Sequence, residues 1–291
     1  MQVAFHIGAH FTDEERLLRT LLANGEDLAR RGIIVPDPGH YRRTVRDLLV
    51  ALKGAPADAE TQETLLDAIT EQDHIRRLIL TNDNFMGYPA RMIAKEGFHT
   101  LAPARLKALA NLFPTSEVEF HLGLINPATL LPQLLGFVKG TDYETLMCGL
   151  DPLDLRWAPV IERMVQATGG RTLVVWCNED TPLVWPEVLR RLAGIEPESP
   201  LQGDDALLET IMAPEGLARM RTYMGTHPPQ NAAQRRKIAS AFLDKFGLAD
   251  RLEIEVPLPG WDEALVAEIT AAYDADVAEI AAMPGVEFIA P

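Results

Sequence analysis

Apolar residues in this chain fall into short runs, one of them alternating, separated by longer stretches of helical spacing. Val3–Ile7, Leu78–Thr81, the alternating Val118–Leu124 and Thr172–Cys177 are such runs, bounded by turn or cap residues, and they suit strands covered on both faces. After the first run, Leu17, Leu18, Leu21, Leu22 and Leu28 recur at helical spacing, as do Val45, Leu48, Leu49 and Leu52 within 41–53. Further helices are predicted over 60–70, 103–112, 126–139, 157–167, 184–192 and 261–283, and Val286–Ile289 reads as a last strand or a docked tail. Pro/Gly breaks fall at Pro197–Gly203, Gly225–Pro229 and Val256–Gly260. Alternation without a linker-like gap predicts one α/β domain, 1–291, with three layers, a mostly parallel central sheet and a helical C-terminal part.

The stretch from Val3 to Leu18 has the strand–loop–helix arrangement in which α/β proteins place a phosphate on a helix N-terminus. Thr12 and Glu15 form a T-x-x-E capping box, so the helix is expected to start at Thr12. Asp13 and Glu14 add negative charge to the first turn, where the helix dipole favours it. Arg30-Arg31-Gly32 provides a basic last turn and a stop. A dianionic ligand arriving at that first turn meets three carboxylates, each unfavourable by about 1 kcal/mol or more in a partly exposed site.

His6-Ile7-Gly8-Ala9, the Leu-rich helix with Asn24 and Leu28, and Gly32-Ile33-Ile34-Val35-Pro36 resemble the opening of the bacterial sulfotransferase family. That opening reads H-I-G-x-P-K-T-G-T-T-x-L-Q, and its lysine and following backbone hold the phosphosulfate end of 3′-phosphoadenosine 5′-phosphosulfate (PAPS). The resemblance implies a sulfotransferase-like, P-loop-like fold and makes Gly8, His10, Phe11 and Thr12 the nucleotide-binding positions. The proline position falls on His10, the lysine on Phe11 and the first threonine on Thr12, while Asp13, Glu14 and Glu15 replace the remaining glycine and threonines. The family's third strand leads to an arginine and a serine that hold the 3′-phosphate. Those positions fall here on Leu124 or Ile125 and on Pro132 or Gln133, leaving Asn126 as the polar remnant. Leu135–Gly140, Leu155-Arg156-Trp157 and Asn178-Glu179-Asp180 align with further family segments. The resemblance therefore implies a degenerate member that needs no cofactor and binds a small molecule or a protein. The alternative it leaves is an active enzyme moving a sulfuryl group from PAPS to a hydroxyl.

Two more groups lie where strand ends are expected. Asn82 and Asp83, in the loop Thr81-Asn82-Asp83-Asn84, occupy the strand edge at which α/β sheets bind ligands, although such residues also simply form turns. Arg42 and Arg43, in Tyr41-Arg42-Arg43-Thr44-Val45-Arg46, offer a basic patch for an anionic substrate or a solvated helix face. The seven histidines lack ligand spacing, so no metal is expected, and neither G-x-S-x-G nor a GK[ST] phosphate loop occurs.

Composition narrows the partners. A formal charge of −15, from 27 Lys and Arg against 42 Asp and Glu, disfavours nucleic acid and suits a soluble, acidic cytoplasmic protein. No apolar run approaches the ~18 residues of a membrane span, and no basic-plus-apolar leader opens the chain, so no membrane association is expected. Cys148 and Cys177 are either reduced core thiols or a single disulfide.

Overall fold

The computed structural model describes residues 1–72, 74–252 and 258–291. Among these residues eight strands follow in chain order: β1 (Gln2–His6), β2 (Ile33–Ile34), β3 (Arg77–Thr81), β4 (Ile93–Ala94), β5 (Gly97–Phe98), β6 (Glu117–Leu124), β7 (Leu173–Cys177) and β8 (Val286–Phe288). Strands β4 and β5 form a small antiparallel ribbon, and the other six form one parallel sheet in the order β2-β3-β1-β6-β7-β8. The four predicted strands are neighbours in it, and the C-terminal run is its outer strand. Ile33–Ile34 completes the opposite edge; two residues are too few to announce a strand by periodicity.

Register explains why these runs are mainly apolar. Val3 and Phe5 lie beside Leu78 and Leu80 on one side and Val118 and Phe120 on the other. Their side chains join those of helices 38–52, 59–69, 102–110, 127–137, 157–168 and 263–281 in one cluster. The alternate residues Ala4, Ile79 and Trp176 instead join helices 16–30 and 181–193 on the opposite face. Both faces being covered, β3 and β7 read as near-continuous apolar runs, whereas β6 keeps its alternation, with Glu119 and His121 on the face that carries Arg77 and Arg191. After β1 the chain moves outward to β2, returns to β3, then crosses to β6 on the far side. β1 is thus where the winding reverses, and ligands of open α/β sheets bind at the carboxyl ends of strands beside such a point.

The predicted helices lie within about three residues of their expected bounds, except the first. It consists of two segments, Arg16–Ala23 and Gly25–Arg30. Between them the buried Asn24 amide donates to the Thr20 carbonyl at 2.8 Å and the Gln202 carbonyl at 3.0 Å, and its oxygen accepts from the Gln202 amide at 2.9 Å. The capping box is not formed. The Thr12 hydroxyl donates backwards to the Ala9 carbonyl at 2.8 Å, and Glu15, in the left-handed region at φ 63°, caps nothing with its side chain. Asp13 takes that role, its Oδ2 accepting from the Leu17 amide at 2.8 Å. The left-handed residues Phe11, Glu14 and Glu15 coil the loop, so the helix begins at Arg16 instead of Thr12. Positions 256 and 257 of the predicted break Val256–Gly260 lie outside the described residues. Cys148 and Cys177 are free thiols. Among the described residues no helix is long and apolar enough to cross a membrane.

Candidate functional site at the carboxyl edge of β1

Chain pairing continues past β1. The Ile7 amide donates to the His121 carbonyl at 3.0 Å, Ala9 to the Gly123 carbonyl at 3.0 Å, and Gly123 back to the Gly8 carbonyl at 2.9 Å. Amides that would line an anion cradle are therefore partly consumed by β6. Gly8 makes the turn at φ 109°, and a Cβ there would press on the His10 amide at 3.3 Å and on Asp83 at 3.6 Å. The Asp13 carboxylate, itself buried, then fills the start of the Arg16–Ala23 helix. A helix N-terminus holds anions through its unpaired N–H groups and its dipole, and here the anion is the protein's own. Phe11 turns its ring edge-on to Phe137 at 5.6 Å, so an aromatic contact stands where the resemblance would place a lysine.

On the β3 side, the buried Tyr41 hydroxyl closes both backbone groups of Thr81, donating to its carbonyl at 2.7 Å and accepting from its amide at 2.9 Å. Burial raises the phenol's pKa to about 12 and keeps it protonated. Arg42 donates to the same carbonyl through Nε and Nη2, each at 3.1 Å, and pairs through Nη1 with Glu15 at 2.7 Å. Burial works against its charge, but Glu15 and the neighbouring groups outweigh that and leave its pKa raised. Arg43 points away, is mostly exposed, and pairs with Asp47 at 3.6 Å. Asn82 accepts from the Asn84 amide at 3.0 Å in a tight turn.

His6, His10, Asp13 and Asp83 meet between these loops. His10 Nε2 lies 3.3 Å from the side-chain oxygen Oδ1 of Asn84, an acceptor, which places the ring proton on Nε2 and leaves buried Nδ1 without a partner among the described residues. Burial lowers the pKa of His10, against the opposing pull of Asn84 and Asp83. Burial also raises Asp83, with Asp13 adding to the rise and His6, His10 and Arg42 resisting it. Both shifts favour the neutral forms, so this cluster offers hydrogen bonding and proton exchange and little net positive field. A recess lined by His10, Met86, Tyr88, Arg91 and His99 beside it is too narrow to seat a water. Burial holds the His99 pKa down to about 3.

Further along the edge, Asn126 is the N-cap of helix 127–137, its oxygen accepting from the Ala128 amide at 2.9 Å while its nitrogen donates to Thr270 at 3.0 Å. Glu179 accepts from the Asn126 amide at 2.8 Å and from the Tyr273 hydroxyl at 2.9 Å. Burial raises the Glu179 carboxyl and pushes the nearby Cys177 thiol up to about 12, so that thiol is no nucleophile at neutral pH.

Gly8, His10, Asp83 and Arg42 thus gather around the end of β1, whereas Phe11 packs outward on Phe137. Thr12 holds its own loop, Asn82 and Asn126 serve turns and caps, and Arg43 lies on the solvent side. Sequence reasoning missed Tyr41 and the true position of Asp13. Tyr41 could have been found from its spacing of four before Val45 on the buried face; nothing local distinguishes Asp13 from its two acidic neighbours. Among the described residues no cluster of three or more His, Cys, Asp or Glu side chains is placed to hold a metal. No family model, curated protein or solved structure matches this chain.

Proposed function

We propose that this protein is a binding protein on a sulfotransferase-like scaffold whose donor-nucleotide site is closed by its own side chains. The observation that carries this reading is the Asp13 carboxylate seated on the Leu17 amide, at the helix start where the 5′ phosphosulfate would have to lie. Phe11 on Phe137, Arg42 spent on Glu15 and Thr81, and Asn126 spent on a helix cap point the same way. Loss of the loop lysine, the 3′-phosphate arginine and the serine removes three polar or charge-assisted contacts, each worth ~1.5–3 kcal/mol. A micromolar nucleotide then falls towards millimolar or weaker. The ligand is accordingly a protein or a small molecule without a dianionic end, and no group transfer is assigned.

Calorimetric titration with adenosine 3′,5′-bisphosphate at physiological salt tests this. Binding weaker than about 100 μM is expected. Low-micromolar binding would restore the enzyme and return PAPS as donor. Phe11→Lys alone should not rescue affinity, because Asp13 continues to fill the helix start.

A further inference from the structure

Away from the β1 edge, helices Pro214–Thr226 and Ala232–Phe246 form a hairpin stacked on helix 181–193. Gly216 permits the close contact, since a Cβ there would collide with the Phe246 side chain. The hairpin leaves an open groove of about 600 Å³ on its outer side, floored by Phe242, Phe246 and the exposed Tyr223. Arg219 and Lys245 each stand 5.5 Å from the centre of the Phe246 ring. Other hairpin arginines are neutralised internally: Arg221 by Asp205 and Glu209, Arg235 by Asp205, and Arg236 by Glu187. Among the described residues, Arg219 and Lys245 have no carboxylate within reach. Residues 214–246 carry six Lys or Arg against two Asp or Glu, in a chain whose net charge is −15.

The opposite charge is concentrated on the C-terminal helix. Glu263–Ala281 contains five acidic residues and no Lys or Arg. Asp276 is buried against Arg156, whereas Glu263, Glu268, Asp274 and Glu279 are exposed and, among the described residues, unpaired. Ala267 and Ala271 lie exposed between Glu263, Glu268 and Asp274, giving a smooth surface on which a second helix layer could close. This helix covers one face of the sheet and the hairpin packs outside the other, so the two surfaces of one chain face apart.

We propose that copies of this chain associate head to tail, the hairpin groove of one receiving the acidic Glu263–Ala281 helix of the next. Tyr223, Arg219 and the two phenylalanines supply the residue types that dominate interface energies, and the exposed Ala267 and Ala271 let the acidic helix come close to them. Opposite charges set the register and speed encounter. Because the two surfaces differ, the contact is heterologous and builds rings or filaments instead of a closed two-fold pair. This inference is independent of the nucleotide reading.

Sedimentation velocity of the full chain across a concentration series, at about 50 and about 500 mM salt, tests it. Association that grows with concentration and weakens with salt is expected. Arg219→Glu with Lys245→Glu should weaken it about tenfold or more, as should Glu268→Lys with Asp274→Lys. The decisive arm mixes the two double variants: one keeps a working groove and the other a working helix, so they should form a one-to-one pair that grows no further. All four side chains are exposed and, among the described residues, unpaired, and circular dichroism checks that the variants fold. A monomer throughout the series at low salt would overturn the proposal, as would association that survives both double variants or a mixture that stays unpaired.

Discussion

The end of β1 and the C-terminal hairpin use charge in opposite ways. At β1, Asp13 meets the Leu17 amide, Arg42 meets Glu15 and Thr81, and Glu179 meets Asn126 and Tyr273. At the hairpin, Arg219 and Lys245 lie over an aromatic ring, with no anion beside them among the described residues. A charge satisfied internally holds the fold and repels a ligand of the same sign; a charge left over on an apolar surface waits for a partner. By this measure the place where an α/β sheet usually binds its ligand is the structural region, and a helical appendage is the one with unspent interactions.

The largest effect expected of the closed region is sensitivity to acid. His99 is fully buried with its pKa near 3, against an ordinary value of 6.5, and burial lowers the pKa of His121 too, although Glu119 opposes the shift. Between pH 6.5 and 3 the unfolded chain binds a proton at His99 that the folded chain refuses. Stability at this residue is therefore intact above pH 6.5 and lost as pH falls through that window, by an amount on the order of a few kcal/mol. Asp83 and Glu179, raised by burial, act in the opposite direction, so the comparison should be made against His99→Leu. Urea denaturation at several pH values should give a shallower acid slope for that variant. Equal slopes would mean the recess beside His10 is open to water.

Next in size is Tyr41→Phe. The hydroxyl serves two buried backbone groups of Thr81, and leaving them unpaired should cost about 1–3 kcal/mol in chemical denaturation. A loss below about 0.5 kcal/mol would show that water or Arg42 replaces it, and that the β1 edge is less tightly closed than its contacts indicate.

Asp13→Ala and Thr12→Ala separate helix capping from loop closure. Asp13→Ala should cost about 1 kcal/mol, the usual worth of a capping side chain. Thr12→Ala removes one partly buried bond to Ala9 and should cost less. If the order reverses, the helix start is maintained by Thr12 and the site is not filled by Asp13.

The contrast between the two regions also marks how far the sequence could be read. Parallel strands were legible because Val3–Ile7 and Thr172–Cys177 are apolar at nearly every position, both faces being covered, while Val118–Leu124 alternates, its Glu119 and His121 lying on the face that carries Arg77 and Arg191. The hairpin between β4 and β5 was not, since two-residue strands have no period. Thr12 and Glu15 matched a capping pattern that Asp13 outcompeted, because Phe11, Glu14 and Glu15 adopt left-handed backbone that no local rule assigns to those residue types. Arg42 and Arg43 looked alike in sequence; a helix turns 100° between them, which sends one to Thr81 and the other to solvent. Partnership across distant segments, such as Glu179 with Tyr273 or Asn24 with Gln202, is fixed only by tertiary packing.

The smallest effect is expected at the hairpin, and its smallness is informative. Arg219→Gln and Lys245→Gln keep most of each side-chain stem over Phe246 and remove only the charge. An exposed cation above an aromatic ring contributes about half a kcal/mol, and substitutions at exposed positions without a buried partner stay near that size. Thermal and urea denaturation of the double variant, at a concentration low enough to exclude association, should therefore differ little from the parent. If removing the two cations unfolds the hairpin, they are structural and the β1 edge and the hairpin spend charge alike. If stability holds while sedimentation shifts towards monomer, the cations serve contact between molecules, because nothing within one molecule has been lost.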